Sequence, residues 1–445
     1  MDTCDILIKG CRILRPDMSV SDVCSVVIQN SYIKKIGKEK KLEKEFTAKE
    51  SLDGSGKLLM PGLVDGHTHT CQQLLRGRVS DEYPMVWTRF LVPFESNLKP
   101  EDSYISAQLS CLEMIKNGTT AFADSGGVHM ERVADAVLES GMRAAIAKST
   151  MDMGNAITGA MKETAEESIT HTRELYKNYH NAGDGRISIW FALRQVMTCS
   201  PKLIEMVRNS AAELHTGIHA HLCEHKDEVS YCLQNYKLRP VQFLESMGVL
   251  GPNLLTAHNV MLSDEDISTL AKWDVKIIHC PRANLANHGF PKAPQIVNAG
   301  LNVGLGCDGA APSNLDLFDE MKILRYSMIA YWGLPSFDPV VMTCQTVLKM
   351  ATQGGAAAIG EGERLGTVEE GKKADVILLN IDQPHLTPSQ NLVNTIVEAA
   401  NGHDVTDSII NGKIVMKNRE VLTLDEEKIR REAQLHMESI IKRAY

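Results

Sequence analysis

The sequence predicts an α/β protein: a (β/α)8 barrel of the TIM type with a small composite β-sandwich domain built from both ends of the chain. Two observations predict this fold. Short β-branched segments occur near both chain ends, and strand and helix patterns alternate eight times between them. An open doubly wound sheet is the alternative, but its first strand normally leads into a glycine-rich phosphate loop. Two histidines follow the corresponding strand here, so the barrel is favoured.

The two chain ends predict the sheet domain. Residues 5–10 and 26–30 are apolar and β-branched and end at glycine or asparagine, as strands before turns do. Residues 374–379 and 408–415 repeat this pattern, and the second segment contains the hairpin signal Asn411-Gly412. We therefore expect the sandwich in residues 1–58 and 369–422, the catalytic barrel in residues 59–368 and a C-terminal helix in residues 423–445.

The middle of the chain predicts the barrel. The first strand ends at Val64 and Asp65, and apolar strand candidates recur after it, separated by amphipathic helix patterns. The further strand candidates are residues 119–124, 143–149, 187–193, 217–222, 253–258, 275–279 and 302–307. Helix patterns include residues 101–116, 131–139, 201–215 and 228–247. Eight such units in about 300 residues fit the usual size of a barrel of this type.

Composition excludes several classes of protein. The chain has 445 residues, 43% of them hydrophobic, and a formal net charge of −9, which argues against nucleic acid or an anionic membrane as a partner. No apolar stretch approaches the roughly 20 residues of a membrane helix. Eleven cysteines are scattered without a CxxC pair, which favours reduced thiols and a cytoplasmic location.

Histidines or carboxylates follow five of the eight predicted barrel strands, at the end where barrel enzymes carry their catalytic groups. These residues are His67 and His69, the segment HLCE (221–224), His258, His279 and Asp308. Three histidines and one carboxylate can hold Zn²⁺ or Fe²⁺ and leave a position for water, whose pKa the metal lowers to about 7. Glu224 is then a candidate to take and return that proton. His219 and His221 share one strand face, and His221 is favoured as the ligand because it lies nearer the strand end.

Five motifs resemble those of the amidohydrolase superfamily in its mononuclear aminohydrolase branch. They are PGLVDGHTH (61–69), HLCE (221–224), TAHNV (256–260), HCPRANL (279–285) and GLGCDGAAPSN (304–314). The branch includes methylthioadenosine/S-adenosylhomocysteine deaminases, guanine and cytosine deaminases and triazine hydrolases. The resemblance implies one metal ion, with His67, His69, His221 and Asp308 as ligands. It also implies Glu224, His258 and Asp308 as catalytic residues.

Further matches concern the substrate. The segment VPFE (92–95) resembles the family motif whose glutamate binds ribose hydroxyls, which implies this role for Glu95. Arg194 and Lys148 stand where adenosine-type members carry a histidine and an arginine, and Arg194 with Gln72 resembles the guanine-deaminase arrangement. His279 is a further candidate for substrate contact.

The resemblance therefore implies a hydrolytic deaminase of a small aminated N-heterocycle that breaks C–N bonds of cyclic amidines. An adenine nucleoside such as 5′-methylthioadenosine, S-adenosylhomocysteine or adenosine is the first choice. A guanine, pterin or triazine aminohydrolase or chlorohydrolase is the alternative, and an inactive scaffold of the same fold is the non-enzyme alternative. Ring opening of a cyclic amide usually needs a second metal and a bridging lysine, and residues 187–201 contain no lysine. Relatives often form homo-oligomers, so we expect one here.

Overall fold

The N-terminal part of the protein forms five strands and one short helix. The computed structural model describes residues 2–82, 85–154, 158–309, 314–338 and 340–445. The first elements are β1 (Asp2–Ile13), β2 (Cys24–Gln29), β3 (Tyr32–Gly37), α1 (Glu39–Glu45), β4 (Phe46–Asp53) and β5 (Lys57–Pro61). β1 pairs antiparallel with β2 and parallel with β4 and β5.

Eight parallel strands form the closed barrel that the sequence predicts. They are β6 (Leu63–His69), β7 (Thr119–Asp124), β8 (Arg143–Ala147), β9 (Ile187–Leu193), β10 (Ile218–Leu222), β11 (Leu254–His258), β12 (Lys276–His279) and β13 (Val303–Leu305). Each strand pairs with the next, and Leu305 of β13 pairs with Asp65 of β6, which closes the barrel. A two-residue strand, β14 (Asp308–Gly309), continues beside β6 and sets Asp308 opposite Thr68. Every barrel strand therefore delivers its C-terminal end to the same face.

Helices connect the barrel strands and follow the last of them. They are α2 (Val92–Ser96), α3 (Pro100–Lys116), α4 (Met130–Ser140), α5 (Ala165–Tyr179), α6 (Ala182–Gly185), α7 (Pro201–Glu213), α8 (Lys226–Tyr236), α9 (Pro240–Ser246), α10 (Asp264–Lys272), α11 (Pro281–Asn287), α12 (Ala293–Asn298), α13 (Leu317–Met328), α14 (Cys344–Lys349) and α15 (Gly355–Ala358). The prediction of one helix over residues 228–247 is wrong. Lys237 adopts a left-handed conformation with φ of 60° that ends α8, and Pro240 at the first turn begins α9.

The chain then returns to the N-terminal sheet. The last elements are β15 (Val376–Asn380), α16 (Leu392–Ala399), β16 (Val405–Ile410), β17 (Lys413–Lys417), β18 (Glu420–Val421) and α17 (Glu426–Ala444). β15 pairs antiparallel with β5, so strands from both chain ends share one sheet, as predicted. Asn411 and Gly412 both have positive φ values, 49° and 74°, in the hairpin between β16 and β17. The expected domain limits stay a prediction.

A buried ion pair joins the barrel to this sheet domain. Arg143, the first residue of β8, donates hydrogen bonds of 2.8 and 3.2 Å to the two carboxylate oxygens of Asp375. The backbone N–H of Asn411 donates to the same carboxylate at 2.8 Å. Both charged side chains are almost fully buried, so each depends on the other for its solvation.

A second apolar cluster lies apart from the main core. It joins α17 to the segment after β6, to α2 and to the start of α3, through residues that include Leu74, Phe90, Phe94, Ile105 and Ile440.

None of the helices in the described ranges is long and apolar enough to span a membrane.

Candidate metal and catalytic site

Three histidines and one aspartate converge at the C-terminal face of the barrel. His67 and His69 lie two residues apart on β6, so both side chains point to the same side of the strand. The Nε2 atom of His69 is 3.3 Å from Nε2 of His221 on β10. The Oδ1 atom of Asp308 is 3.4 Å from Nε2 of His67 and 3.5 Å from Nε2 of His69. The four predicted ligands thus surround one point.

Hydrogen bonds from behind orient two of these imidazoles. Nδ1 of His69 donates to the carbonyl oxygen of Gly126 at 3.2 Å, which leaves the lone pair of Nε2 directed into the site. Nδ1 of His67 lies 2.8 Å from Nε2 of His219, the other histidine of β10. His219 therefore contacts the nitrogen of His67 opposite to the one that faces Asp308.

The chemistry of this group of donors fits a divalent metal ion. Burial lowers the pKa values of His67, His69 and His221, so these imidazoles are neutral, as metal ligands must be. The buried Nε2 atom of His67 has no hydrogen-bond partner among the described residues. One nitrogen from each of the three histidines lies within 4.8 Å of the others. Neutral imidazoles with one carboxylate are a donor set typical of zinc or ferrous iron.

Glu224 lies beside this group, directly after β10. Its Oε1 atom is 3.0 Å from Nε2 of His288 and 3.8 Å from Nε2 of His258. Its Oε2 atom accepts a hydrogen bond of 2.8 Å from the side-chain amide of Gln195. Burial raises the pKa of Glu224, but the charges of His258 and His288 and the hydrogen bond from His288 outweigh burial and lower it overall. The carboxylate is therefore in the form that accepts a proton.

His258 is held by its other nitrogen. It ends β11 with a φ of 72°, a strained conformation for a residue with a side chain, and its Nδ1 atom is 3.0 Å from Oδ1 of Asn284. Because the amide oxygen accepts this hydrogen bond, Nδ1 carries a proton, and the Nε2 atom faces Oε1 of Glu224 from 3.8 Å. Nδ1 of His279 donates to the carbonyl oxygen of His258 at 3.2 Å, so His279 supports this turn.

Three of the predicted substrate-binding residues form a second buried group. The side-chain amide of Gln72 donates a hydrogen bond of 2.7 Å to Oε1 of Glu95, and Nη2 of Arg194 is 3.7 Å from the same oxygen. The second carboxylate oxygen of Glu95 and Nη1 of Arg194 are buried without a hydrogen-bond partner in the described ranges. Burial raises the pKa of Glu95 overall, although the charge of Arg194 and the hydrogen bond from Gln72 act in the opposite direction. A free acceptor and a free donor are thus available to a polar ligand.

Lys148 does not join this group. Its ammonium forms an ion pair with Glu163, whose carboxylate also binds Nδ1 of His171 at 2.7 Å. These three side chains line a separate cavity of about 360 Å³.

Part of the motif at residues 304–314 is not described, because residues 310–313 lie outside the described ranges.

Comparison with known proteins identifies the family. The model of the Amidohydrolase family matches residues 58–415. The chain belongs to the amidohydrolase family. It is 39% identical over 445 residues to the 5-methylthioadenosine/S-adenosylhomocysteine deaminase of Pelotomaculum thermopropionicum, covering 99% of each chain. It is 36% identical to the 5′-deoxyadenosine deaminase of Methanobrevibacter smithii over 439 residues, covering 98% of each chain.

A solved structure of a deaminase has the same fold. The zinc-bound adenosine deaminase from Xanthomonas campestris superposes with a TM-score of 0.92 at 28% identity, covering 99% of each chain. The predictions of a barrel with a sandwich domain and of a hydrolytic aminohydrolase are confirmed. The histidine-rich site of this amidohydrolase is one for a divalent metal ion.

The structure adds three side chains that sequence reasoning did not select. Gln195 and His288 contact Glu224, and Asn284 contacts His258. Asn284 lies inside the motif HCPRANL, so the motif could have indicated its role. His288 lies four residues after Asn284, at the end of α11. Gln195 follows β9, where only its neighbour Arg194 was considered.

Proposed function

We propose that this amidohydrolase is a metal-dependent hydrolytic deaminase of adenine nucleosides. The observation that carries the choice of substrate is the buried Glu95, which keeps one carboxylate oxygen free beside the catalytic group. A buried carboxylate needs hydrogen-bond donors, and the two hydroxyls of a ribose supply them. The names of the relatives, which act on methylthioadenosine, S-adenosylhomocysteine or 5′-deoxyadenosine, support the same substrate class.

His67, His69, His221 and Asp308 would hold the metal ion. Zinc is the first choice because the solved relative has bound zinc, and ferrous iron is the alternative. The ion, when bound, supplies a water activated at neutral pH as the nucleophile. His219 and the carbonyl of Gly126 would fix the orientation of the ligands.

Glu224 would carry the proton through the reaction. Ionised and close to His258, it accepts a proton from the attacking water and passes it to the substrate nitrogen that becomes the leaving group. The bond between the amine nitrogen and its ring carbon breaks, water supplies the new oxygen, and ammonia leaves. Asp308, ionised, would accept a hydrogen bond from the attacking water and orient it, and His258 would stabilise the developing oxyanion.

One observation favours a second candidate. The free Nη1 atom of Arg194, with Gln72 close by, also matches the carbonyl edge of guanine, a pterin or a related triazine. A guanine, pterin or triazine aminohydrolase or chlorohydrolase is therefore the alternative function. An inactive scaffold would be expected to lack ligands, and all four are present. We also propose that the protein is cytoplasmic and forms a homo-oligomer.

Ammonia release by the zinc- or iron-loaded protein tests the substrate. The panel contains adenosine, 5′-methylthioadenosine, S-adenosylhomocysteine, 5′-deoxyadenosine, guanine, a pterin and melamine, with metal-stripped protein as control. We expect release from nucleosides only. Release only from guanine, the pterin or melamine would overturn the nucleoside assignment in favour of the alternative. No release by fully metal-loaded protein would support the scaffold.

A further inference from the structure

Two cysteines face each other in the sheet domain, outside the barrel strands that carry the catalytic residues. Cys11 near the end of β1 is the direct register partner of Cys24, the first residue of β2. Opposed residues of antiparallel strands have Cα atoms about 4.5 or 5.5 Å apart. A disulfide requires Cα separations of about 4.4–6.8 Å. The backbone therefore already has the spacing of a disulfide.

A β-bulge creates this pairing. Ile8 is opposite Val26, and without a shift in register Cys11 would be opposite the exposed Val23. The register shifts by one residue between Ile8 and Cys11, around Gly10, whose φ is 66°. The shift sets Cys24 opposite Cys11, and both side chains pack in the same apolar cluster.

The two thiols differ in access and in acidity. Cys11 is fully buried, whereas Cys24 is half-buried at the beginning of its strand. The neighbouring Cys11 thiol lowers the pKa of Cys24, helped by Ser21 and Arg15 against the effect of burial. The neighbouring Cys24 and burial raise the pKa of Cys11. The accessible thiol is thus the more acidic of the two, and the thiolate is the form that reacts with disulfides.

We propose that Cys11 and Cys24 form a reversible disulfide site that small-molecule disulfides oxidise. The Cys24 thiolate attacks one sulfur of the small disulfide, whose S–S bond breaks and releases one thiol. The Cys11 thiol then loses its proton and attacks the sulfur of Cys24, and the second thiol leaves. Two protein thiols and one small disulfide thereby give one protein disulfide and two small thiols.

The bond would join two strands that are already paired. It would close residues 12–23 into a loop and restrict the unfolded chain, which raises the stability of the folded protein. The pair belongs to β1 and β2, whereas the candidate catalytic residues belong to the barrel. Oxidation is therefore expected to leave turnover unchanged, and the inference does not depend on the proposed substrate.

Thiol mapping of the metal-loaded protein tests the proposal. The protein is equilibrated in buffers of increasing ratio of oxidised to reduced glutathione, alkylated and examined by mass spectrometry with peptide mapping. We expect the loss of two alkylatable thiols, a cross-linked peptide joining Cys11 to Cys24, and full reversal by dithiothreitol. The oxidised form should unfold at a higher urea concentration than the reduced form.

Matched variants identify the roles of the two thiols. Cys24→Ser should abolish the cross-link, Cys11→Ser should retain glutathione on Cys24, and Cys4→Ser, at a buried cysteine of the same domain, should behave as wild type. The wild-type peptide map decides the question even if one variant fails to fold. Full alkylation of Cys11 and Cys24 at every glutathione ratio, or a cross-link between other cysteines, would overturn the proposal.

Discussion

The Nε2 atom of His219 lies 2.8 Å from Nδ1 of His67. Because both rings are fully buried, this contact fixes which nitrogen of His67 faces the catalytic side of the barrel. His219 thus has a specific part in the site although it is not one of the four proposed ligands.

Replacing His219 should weaken metal binding without removing a ligand. We expect His219→Ala to reduce metal affinity by about 10- to 100-fold, the usual effect of losing a hydrogen bond behind a ligand. Competition with a chromophoric chelator measures this, with His219→Gln as a partial rescue and His215→Asn at an exposed position as control. Unchanged affinity in His219→Ala would contradict the orienting role.

Replacing Glu95 should affect nucleosides selectively. Glu95→Gln removes a buried negative charge that would bind ribose hydroxyls, and hydrogen bonds to charged groups contribute about 1.5–3 kcal/mol. We expect kcat/KM for 5′-methylthioadenosine to fall by about 10- to 100-fold. Steady-state kinetics check this, with Glu163→Gln, in the separate cavity beside Lys148, as the matched control. An equal loss in both variants would argue against a ribose contact at Glu95.

The end of α17 should position the segment that carries Glu95. Oη of Tyr445 donates to the carbonyl oxygen of Phe90 at 2.7 Å, and Nη2 of Arg443 donates to that of Asn97 at 3.2 Å. The two contacts bracket Glu95 in the sequence. We expect Arg443→Met combined with Tyr445→Phe to raise KM for nucleosides by about 5- to 100-fold, since each hydrogen bond contributes about 0.5–1.5 kcal/mol.

In that double variant kcat should stay close to wild type, because the metal and proton-transfer groups are on other elements. Gln434→Ala, at an exposed position of the same helix, is the control. A fall in kcat with KM unchanged would show that α17 acts elsewhere.

The sequence predicts which residues lie at the C-terminal ends of the barrel strands. Alternation along each strand and the order of the strands determine which face and which neighbours their side chains have. His67 and His69 share a face by parity, and Asp308 meets them because the last barrel strand closes against the first. The convergence of these residues was therefore predictable from local patterns.

Contacts between loops were not predictable in this way. His288 reaches Glu224 only because α11 ends where it does, and Lys148 pairs with Glu163 across a connecting segment. No periodic pattern in the sequence indicates such contacts between loops. The break between α8 and α9 was missed because the apolar pattern continues past Pro240, although proline at a first helical turn signals a new helix.

The ion pair between Arg143 and Asp375 should be important for stability. Removing one member leaves an uncompensated buried charge, which costs about 3–5 kcal/mol. We expect Asp375→Asn or Arg143→Met to lower the free energy of unfolding by this amount in urea titrations. Lys272→Met, which breaks an exposed pair with Glu245, should cost less than about 1 kcal/mol. A similar small cost in all three variants would contradict the dependence of the domain junction on the buried pair.

Glu224→Gln separates metal binding from proton transfer when metal content and turnover of 5′-methylthioadenosine are measured on the same purified sample. The substitution keeps the size of the side chain and its contact with Gln195 but removes the proton acceptor. We expect one metal ion per chain in both proteins and a fall in kcat of about 10²–10⁴-fold in the variant. Wild-type turnover by the metal-loaded variant would contradict the role of Glu224 and with it the proposed mechanism.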